Sequence, residues 1–197
     1  MNRTTQGTQG VEPMPRLPEV LSPSRRYDRL AVGFHWAVFV LVALTYAAIE
    51  LKGNFGKGTP ARVLAMDIHE WAGALVLGLA VPRLLWRLLR GAPAPEPGPR
   101  WMHLAGEAMH WVLYLFILAQ PLLGLLAMNA GGHLLALPSL GIEVPALVAA
   151  DPALKGTVKA IHETLGTAFY LVIGLHAMAS LFHHYMLGDN TLRRMWR

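Results

Sequence analysis

The chain has 197 residues, of which 54% are hydrophobic and only 15% are charged, and its formal net charge is +5 at pH 7. An average soluble protein has roughly 25% charged residues, so this composition argues against a water-soluble enzyme and, because the chain is so apolar, against disorder over most of its length. The absence of cysteine excludes disulfides, iron–sulfur clusters, thiolate zinc sites and cysteine nucleophiles.

Residues 1–26 differ in composition from the rest of the chain, being rich in Gly, Pro, Thr and Gln and ending in Arg25 and Arg26. They contain neither the apolar core nor the small-residue cleavage site of a signal peptide. We therefore predict a flexible N-terminal tail over residues 1–26 that stays on the protein, followed by one membrane domain over residues 27–197.

Four apolar segments predict helices at about residues 28–50, 63–89, 102–128 and 157–187. A membrane span needs roughly 20 residues. The charge-free centre of the second segment covers only residues 71–82. The segment can still span the membrane if the aliphatic stems of Arg83 and Arg87 let their guanidinium groups reach the interface. The alternative for this segment is a re-entrant or interfacial helix. The predicted fold is an all-α integral membrane protein with a four-helix transmembrane bundle.

Lysine and arginine are unevenly divided between the two sides of this bundle. Twelve lie on the side that holds both termini and the 91–99 connection, and five lie on the other. Positive charge collects in the cytoplasm, so both termini are predicted to be cytoplasmic. The Pro-rich linker 91–99 is then a stiff cytoplasmic connection. The long loop 129–156 is external, with a short helix expected near residues 145–150.

Several of the nine histidines lie inside the predicted spans, where ionisable groups are costly and usually functional. His162 and His176 are fourteen residues apart on the fourth helix, which places them within about 40° of one face and about 21 Å apart along the axis. In a hydrocarbon layer of roughly 30 Å, they lie near opposite membrane surfaces.

The first two helices supply one histidine at each of these depths. His35, near the cytoplasmic start of the first helix, is level with His176, and His69, near the external start of the second, is level with His162. Two imidazoles on opposite sides of a planar ligand are what a six-coordinate haem requires. We therefore predict two haems, with these four histidines as the iron ligands.

A repeated motif, H-E-x-x-G, occurs at residues 69–73 and 162–166. The glycine lies on the same helix face as the histidine and leaves room for a macrocycle. H-E-x-x-H would suggest a zinc protease, but the second histidine is absent from both copies. Two alternatives to haem binding are a structural bundle with hydrogen-bonded core histidines and a metal or proton transporter. The lack of Asp and Glu in mid-membrane argues against the transporter.

Basic and polar side chains accompany the cytoplasmic histidine level. We expect Arg29 and Arg83 to bind haem propionates or a quinone head group, with anchoring to lipid phosphate as the alternative. His183 and His184 offer the same polar contacts unless they only form a solvated helix end. His110, on the third helix near the cytoplasmic leaflet, is expected to support the inner haem or the same ligand pocket.

On the external side, Arg62, Lys155 and Lys159 lie close in sequence to His69 and His162. A basic rim over a redox centre attracts an anionic electron donor and raises its encounter rate, so we predict that these three residues serve the donor reaction. The alternative is that they only keep the loops soluble.

Several motifs resemble those of the bacterial cytochrome b561 family. They are R-Y-D-R-L-x-x-x-x-H-W at 26–36, H-E-x-x-G at 69–73, I-H-E-T-L-G at 161–166, G-L-H at 174–176 and H-H-Y-x-x-x-D-N-T-L-x-R-M at 183–195. The resemblance covers nearly the whole chain from residue 26. It implies an inner-membrane bundle with two b haems, whose ligands fall on His35, His69, His162 and His176.

Within that family the chain resembles di-haem members that oxidise superoxide at the periplasmic face and pass its electrons to ubiquinone. The resemblance implies a quinone region around His184, with Arg29 and Trp36 nearby. The long N-terminal tail and the 129–156 loop depart from the family pattern, and the loop bears on donor access. The same plan with another donor stays open, either a partner dehydrogenase or hydrogenase or an ascorbate-like reductant.

Overall fold

A computed structural model describes residues 26–137 and 140–196, so the tail predicted over residues 1–26 lies outside the described residues except for Arg26. Four helices dominate the described chain, and they are α1 (Arg29–Lys52), α2 (Pro60–Arg90), α3 (Arg100–Ala130) and α4 (Pro152–Tyr185). Each is long and apolar enough to cross a membrane. The predicted all-α, four-helix membrane fold is confirmed. α2, with its short charge-free centre, is one unbroken helix of 31 residues that continues through Pro82.

Side-chain caps fix where three of the helices begin. Asp28 accepts a hydrogen bond from the Ala31 N–H at the start of α1, and Asp151 accepts two at the start of α4. Thr59 caps α2, whose first residue is Pro60. A side-chain oxygen at this position satisfies a helix N–H that has no partner within the helix. The caps therefore place the helix starts independently of the hydrophobic pattern.

Asp28 also joins the first two helices. Its second carboxylate oxygen accepts a hydrogen bond of 2.9 Å from the Trp86 indole on α2. Partial burial would raise the pKa of Asp28, but the hydrogen bonds from the Ala31 N–H and from Trp86 lower it below its ordinary value. The cap is therefore charged at neutral pH, where an anion suits a helix N-terminus.

Each helix packs along its neighbour in sequence: α1 along α2, α2 along α3, and α3 along α4. α4 makes close backbone contact mainly with α3. The small buried core is formed by Val38, Val76, Ala80, Tyr114, Ile117 and Phe169. Large apolar side chains are exposed around the outside of the bundle, as expected for surfaces that face lipid.

The two ends of the bundle are formed by different connecting segments. At one end lie the start of α1, the 91–99 linker and the chain that follows α4, and we call it the linker end. At the other lie the α1–α2 turn and the α3–α4 connection, which contains an antiparallel hairpin of β1 (Ala136–Leu137) and β2 (Ile142–Glu143). We call this the hairpin end.

The prediction of a short helix near residues 145–150 is wrong. The segment is irregular, and a backbone N–H in its middle bonds to α3 instead of within the segment. The Leu147 N–H donates to the Asn129 side-chain oxygen at 2.9 Å, and the Asp151 N–H that follows the segment donates to the Ala130 carbonyl at 2.9 Å. These bonds hold the connection against the end of α3.

The last described residues, 189–196, fold back over the linker end, and we call them the C-terminal strap. The Trp36 indole of α1 donates to the Met195 carbonyl at 2.8 Å, and Arg194 pairs with Glu96 of the linker at 2.7 Å. Burial would raise the pKa of Asp189, but hydrogen bonds from His183 and from the Thr191 N–H lower it below its ordinary value. The strap is thus tied to α1, to α4 and to the linker.

Candidate functional site

One histidine pair lies toward the hairpin end. The ring centres of His69 on α2 and His162 on α4 are 6.2 Å apart. His69 Nδ1 lies 3.0 Å from the Thr45 carbonyl, and His162 Nδ1 lies 3.1 Å from the Gln120 carbonyl. Because a carbonyl can only accept, both Nδ1 atoms carry the proton, and both Nε2 lone pairs are left to bind a metal.

Two residues of α3 form the surroundings of the His162 ring. The Gln120 side-chain amide donates to the His162 backbone carbonyl at 3.2 Å, while the Gln120 backbone carbonyl accepts from the His162 ring. A Cβ at Gly124 would lie 3.4 Å from His162 Cε1, at van der Waals contact, so α3 packs closely against this ring. The two motif glycines differ, because a Cβ at Gly166 would meet Gln120 whereas one at Gly73 would meet nothing within 4 Å.

The second histidine pair lies toward the linker end. The ring centres of His35 on α1 and His176 on α4 are 6.4 Å apart. His110 on α3 is a further neighbour, with its ring centre 5.8 Å from that of His176. Arg83 Nη2 lies 3.2 Å from His35 Nδ1. The sequence predicts His110 near this level, as a support for the inner haem or the same ligand pocket, and the structure places it beside His176.

Both pairs fit bis-histidine haem ligation. Two imidazoles that bind one metal from opposite sides, each through a bond of about 2 Å, have ring centres roughly 6 Å apart. The observed separations of 6.2 and 6.4 Å match this requirement. Within the described ranges, no three or more His, Asp or Glu side chains converge as ligands of a metal ion. By spacing, each pair can hold one metal ion between its two rings.

An apolar layer separates the two pairs. Phe169 lies seven residues from both His162 and His176 on α4, which puts it on nearly the same helix face, midway between them. It is buried and stacks on Phe116 of α3, with ring centres 4.6 Å apart and an interplanar angle of 4°. This stacked pair fixes how close α3 and α4 approach between the two histidine levels.

Two cavities lie at the linker end beneath the C-terminal strap. The larger, of about 440 Å³, is lined by Arg29, Val32, Gly33, Trp36, Met195 and Trp196. The smaller, of about 240 Å³, is lined by His184, Leu192, Arg193 and Trp196. The structure thus brings Arg29 and Trp36 together and places His184 on the other side of Trp196. The residues of the strap were missed in the sequence, because nothing in their pattern shows that they fold back.

The larger cavity adjoins the linker-end pair, since the ring centres of Trp36 and His35 are 5.3 Å apart. His184 Nδ1 is buried and has no hydrogen-bond partner among the described residues. Such an atom is available to a ligand that enters the smaller cavity. Arg83 lines neither cavity, and its contacts are with His35 and the Tyr114 ring.

The three basic residues of the expected donor rim all lie at the hairpin end, and two of them, Arg62 and Lys159, have local partners. Arg62 donates to the carbonyls of Lys52 and Phe55 at 3.0 and 3.1 Å. Lys159 forms an exposed ion pair with Glu163 at 2.6 Å. The Lys155 ammonium lies over the C-terminal end of α3, where it would be 2.9 Å from a Cβ at Gly131. Lys155 therefore keeps a charge that no described carboxylate neutralises.

Comparison with known proteins finds a matching family model and related proteins. The family model for prokaryotic cytochrome b561 matches residues 26–197. Cytochrome b561 homolog 1 of Escherichia coli strain K12 is 39% identical over 171 residues, which cover 86% of this chain and 96% of that protein. A Yersinia pestis protein named probable superoxide oxidase CybB is 38% identical over 173 residues, which cover 87% and 96%. Cytochrome b561 homolog 2 of Escherichia coli K12 is 29% identical over 180 residues, covering 86% and 90%.

The pairing predicts how haem content responds to substitution. We expect His162→Ala and His35→Ala each to leave one b haem per chain, because each removes an axial ligand from a different pair. His110→Ala serves as the matched control and should retain both haems. Pyridine haemochrome quantitation of detergent-purified protein measures this. Loss of a haem from His110→Ala together with two haems in His35→Ala would show that His176 pairs with His110 instead.

Proposed function

The chain belongs to the prokaryotic cytochrome b561 family of multi-pass bacterial inner-membrane electron-transfer proteins, and from this membership we propose that it oxidises superoxide to dioxygen and reduces ubiquinone. The observation that carries the proposal is the presence of two histidine pairs near opposite ends of one bundle. Two such pairs provide for electron transfer across the membrane, from a donor at one face to an acceptor at the other. The superoxide donor is supported by the name of the Yersinia pestis relative.

The reaction needs little from the protein in acid–base chemistry at the donor side. Superoxide becomes dioxygen by giving up one electron, and no proton moves. Ubiquinone takes up two electrons and two protons to become ubiquinol, so two superoxide ions are consumed for each quinol. When bound, b haems supply the one-electron chemistry that connects these half-reactions. The chain's own residues bind the haems, attract the donor and hold the quinone.

We propose that the linker end is cytoplasmic and the hairpin end periplasmic, with both termini in the cytoplasm. Arginines concentrate toward the linker end among the described residues, and positive charge is retained in the cytoplasm. They are Arg26, Arg29, Arg83, Arg87, Arg90, Arg100, Arg193 and Arg194. The pair His69 and His162 then lies on the periplasmic side, where superoxide arrives.

The proposed donor surface includes Arg62, Lys155 and Lys159, which lie at the same end as His69 and His162. A positive surface attracts a small anion and raises its encounter rate. Because Lys159 is paired with Glu163 and Lys155 is not, the charge of Lys155 carries more of this attraction.

The proposed quinone site is the pair of cavities beneath the C-terminal strap. The Arg29 guanidinium is placed to donate to a quinone carbonyl. The Trp36 indole N–H is already donated to Met195, so Trp36 offers its ring face instead. His184 Nδ1 is buried without a partner among the described residues and is suited to proton transfer to the reduced quinone. The larger cavity is within the usual volume range of small-molecule sites.

The activity is tested on detergent-purified protein supplied with superoxide and a ubiquinone analogue. We expect two b haems per chain, haem reduction by superoxide, and one quinol for every two superoxide ions. Addition of superoxide dismutase should abolish quinol formation, and His162→Ala should lack it. If ascorbate or a co-purifying dehydrogenase reduces the haems and superoxide does not, the proposed donor is wrong. Well-folded protein that binds no haem would overturn the function altogether.

Charge attraction at the donor surface predicts unequal effects of two neighbouring lysines. We expect Lys155→Gln to lower the rate of haem reduction by superoxide roughly twofold to fivefold at low salt and to weaken its salt dependence. The double variant Lys159→Gln with Glu163→Gln is the matched control and should have a smaller effect, because it removes an ion pair without changing the net charge. Stopped-flow absorbance across a range of ionic strength measures this. An identical salt profile in native protein and Lys155→Gln would contradict the attraction.

The quinone site predicts a defect confined to the second half-reaction. We expect Arg29→Gln and His184→Ala each to lower the rate of quinone reduction about tenfold, the size of an effect expected from one lost polar contact, while superoxide still reduces the haems at the native rate. Arg100→Gln is the control, because Arg100 is the first residue of α3 at the same end and lines neither cavity. Equal quinone reduction in all three variants would place the acceptor elsewhere.

A further inference from the structure

The larger cavity at the linker end lies on the side of α1 that faces away from the bundle core. Val38 marks the core side of the helix, because it is buried in the same cluster as Val76 of α2. Gly33 precedes Val38 by five residues, which is about 140° around the helix. The other α1 residues that line the cavity recur with Gly33 at intervals of three and four, and they are Arg29, Val32 and Trp36. The cavity therefore faces the surroundings of the bundle.

The side of α1 that holds Gly33 continues as an apolar surface toward the middle of the membrane. Val40 and Leu44 follow Gly33 by seven and eleven residues, so both lie within about 20° of it around the helix. Val40 is 59% exposed and Leu44 is 44% exposed. Lipid tails are as apolar as these side chains, so the surface is suited to contact with hydrocarbon. We call Gly33, Val40 and Leu44 the α1 stripe.

Gly33 lies where the cavity meets the rest of this stripe. It lines the cavity, it is exposed, and a Cβ built on it would meet no described atom within 4 Å. Its backbone is that of an ordinary helix, in which glycine is less favourable than alanine, so the conformation does not call for glycine. A larger side chain at Gly33 would therefore extend into the open space between the cavity and the stripe without displacing the helices.

The other side of the cavity is closed by the C-terminal strap. Met195 and Trp196 form this wall, and the Trp36 indole N–H holds the Met195 carbonyl at 2.8 Å. The wall at the linker end is thus fixed to α1, whereas nothing described covers the position of a Cβ at Gly33. A molecule can therefore reach the cavity along the stripe without moving the strap.

We propose that this cavity takes its quinone laterally from the bilayer, with the head group beneath the strap and the apolar tail along the α1 stripe, and that Gly33 admits the tail. Arg29 lies one turn nearer the start of α1 than Gly33 does, so the polar end of the molecule lies toward the linker end. Gly33 determines specificity for tailed over tailless quinones and is not a catalytic residue. The inference rests on the proposed function in taking the acceptor to be a quinone.

Binding of two oxidised quinones that share one ring tests this in the absence of superoxide. Decylubiquinone carries an alkyl tail, and ubiquinone-0 carries none. We expect Gly33→Leu to weaken binding of decylubiquinone at least tenfold and to change binding of ubiquinone-0 less than threefold, because the leucine side chain obstructs only the path of the tail. Native mass spectrometry of the detergent-purified, haem-loaded protein measures both affinities.

Gly106→Leu is the matched control. Gly106 is an exposed glycine of α3 toward the same end, a Cβ there would also meet nothing within 4 Å, and it lines neither cavity. This variant should bind both quinones as native protein does. Both leucine variants should keep the haem content of native protein, which shows that each bundle has folded.

An equal loss of both quinones from Gly33→Leu would overturn the inference, because the side chain would then fill the space of the head group. Unchanged binding of decylubiquinone would overturn it as well. If Gly33→Leu loses a co-purifying phospholipid and keeps decylubiquinone, the stripe holds a lipid chain and the inference is wrong.

These results are distinguishable from failure of the proposed function. A native protein that superoxide does not reduce still shows tail-dependent binding of quinone if the inference is right. A native protein that binds neither quinone would overturn both the proposed acceptor and the inference.

Discussion

The periodicity of α4 is the constraint on which the candidate site depends. His162, Phe169 and His176 recur at intervals of seven residues, so all three lie near one face of a single straight element. α4 therefore sets the depth of both histidine pairs and the apolar layer between them. The remaining helices have only to bring one imidazole to each level, which His69 and His35 do.

All four helices take part at both histidine levels, although each pair is formed by only two. At the hairpin end, α1 and α3 supply the carbonyls of Thr45 and Gln120 that orient the rings of α2 and α4. At the linker end, α2 and α3 supply Arg83 and His110 beside the rings of α1 and α4. The same contacts therefore pack the helices and orient the imidazoles. A rotation of any one helix would disturb both histidine levels.

The fold class and the family could be predicted from the sequence, because apolar length and histidine spacing are properties of the residues themselves. The orienting carbonyls could not, since a backbone group belongs to every residue and only the packed structure selects Thr45 and Gln120. The depth of His110 could be predicted, but its ring contact with His176 depends on the rotation of α3, which a weakly amphipathic span leaves unspecified. The irregular 145–150 segment depends on one side chain, Asn129, whose bond to Leu147 replaces a helical turn.

Trp36 connects the larger cavity at the linker end both to the C-terminal strap and to the neighbouring histidine pair. Trp36 is adjacent to His35 in sequence, lines the larger cavity, and holds Met195 of the strap by its indole N–H. The strap is held in turn by Arg194 on the linker residue Glu96. A molecule that enters beneath the strap therefore contacts the same tryptophan that packs against His35. Because the walls of this cavity come from α1 and the strap, the cavity forms only when the last described residues have folded back onto α1.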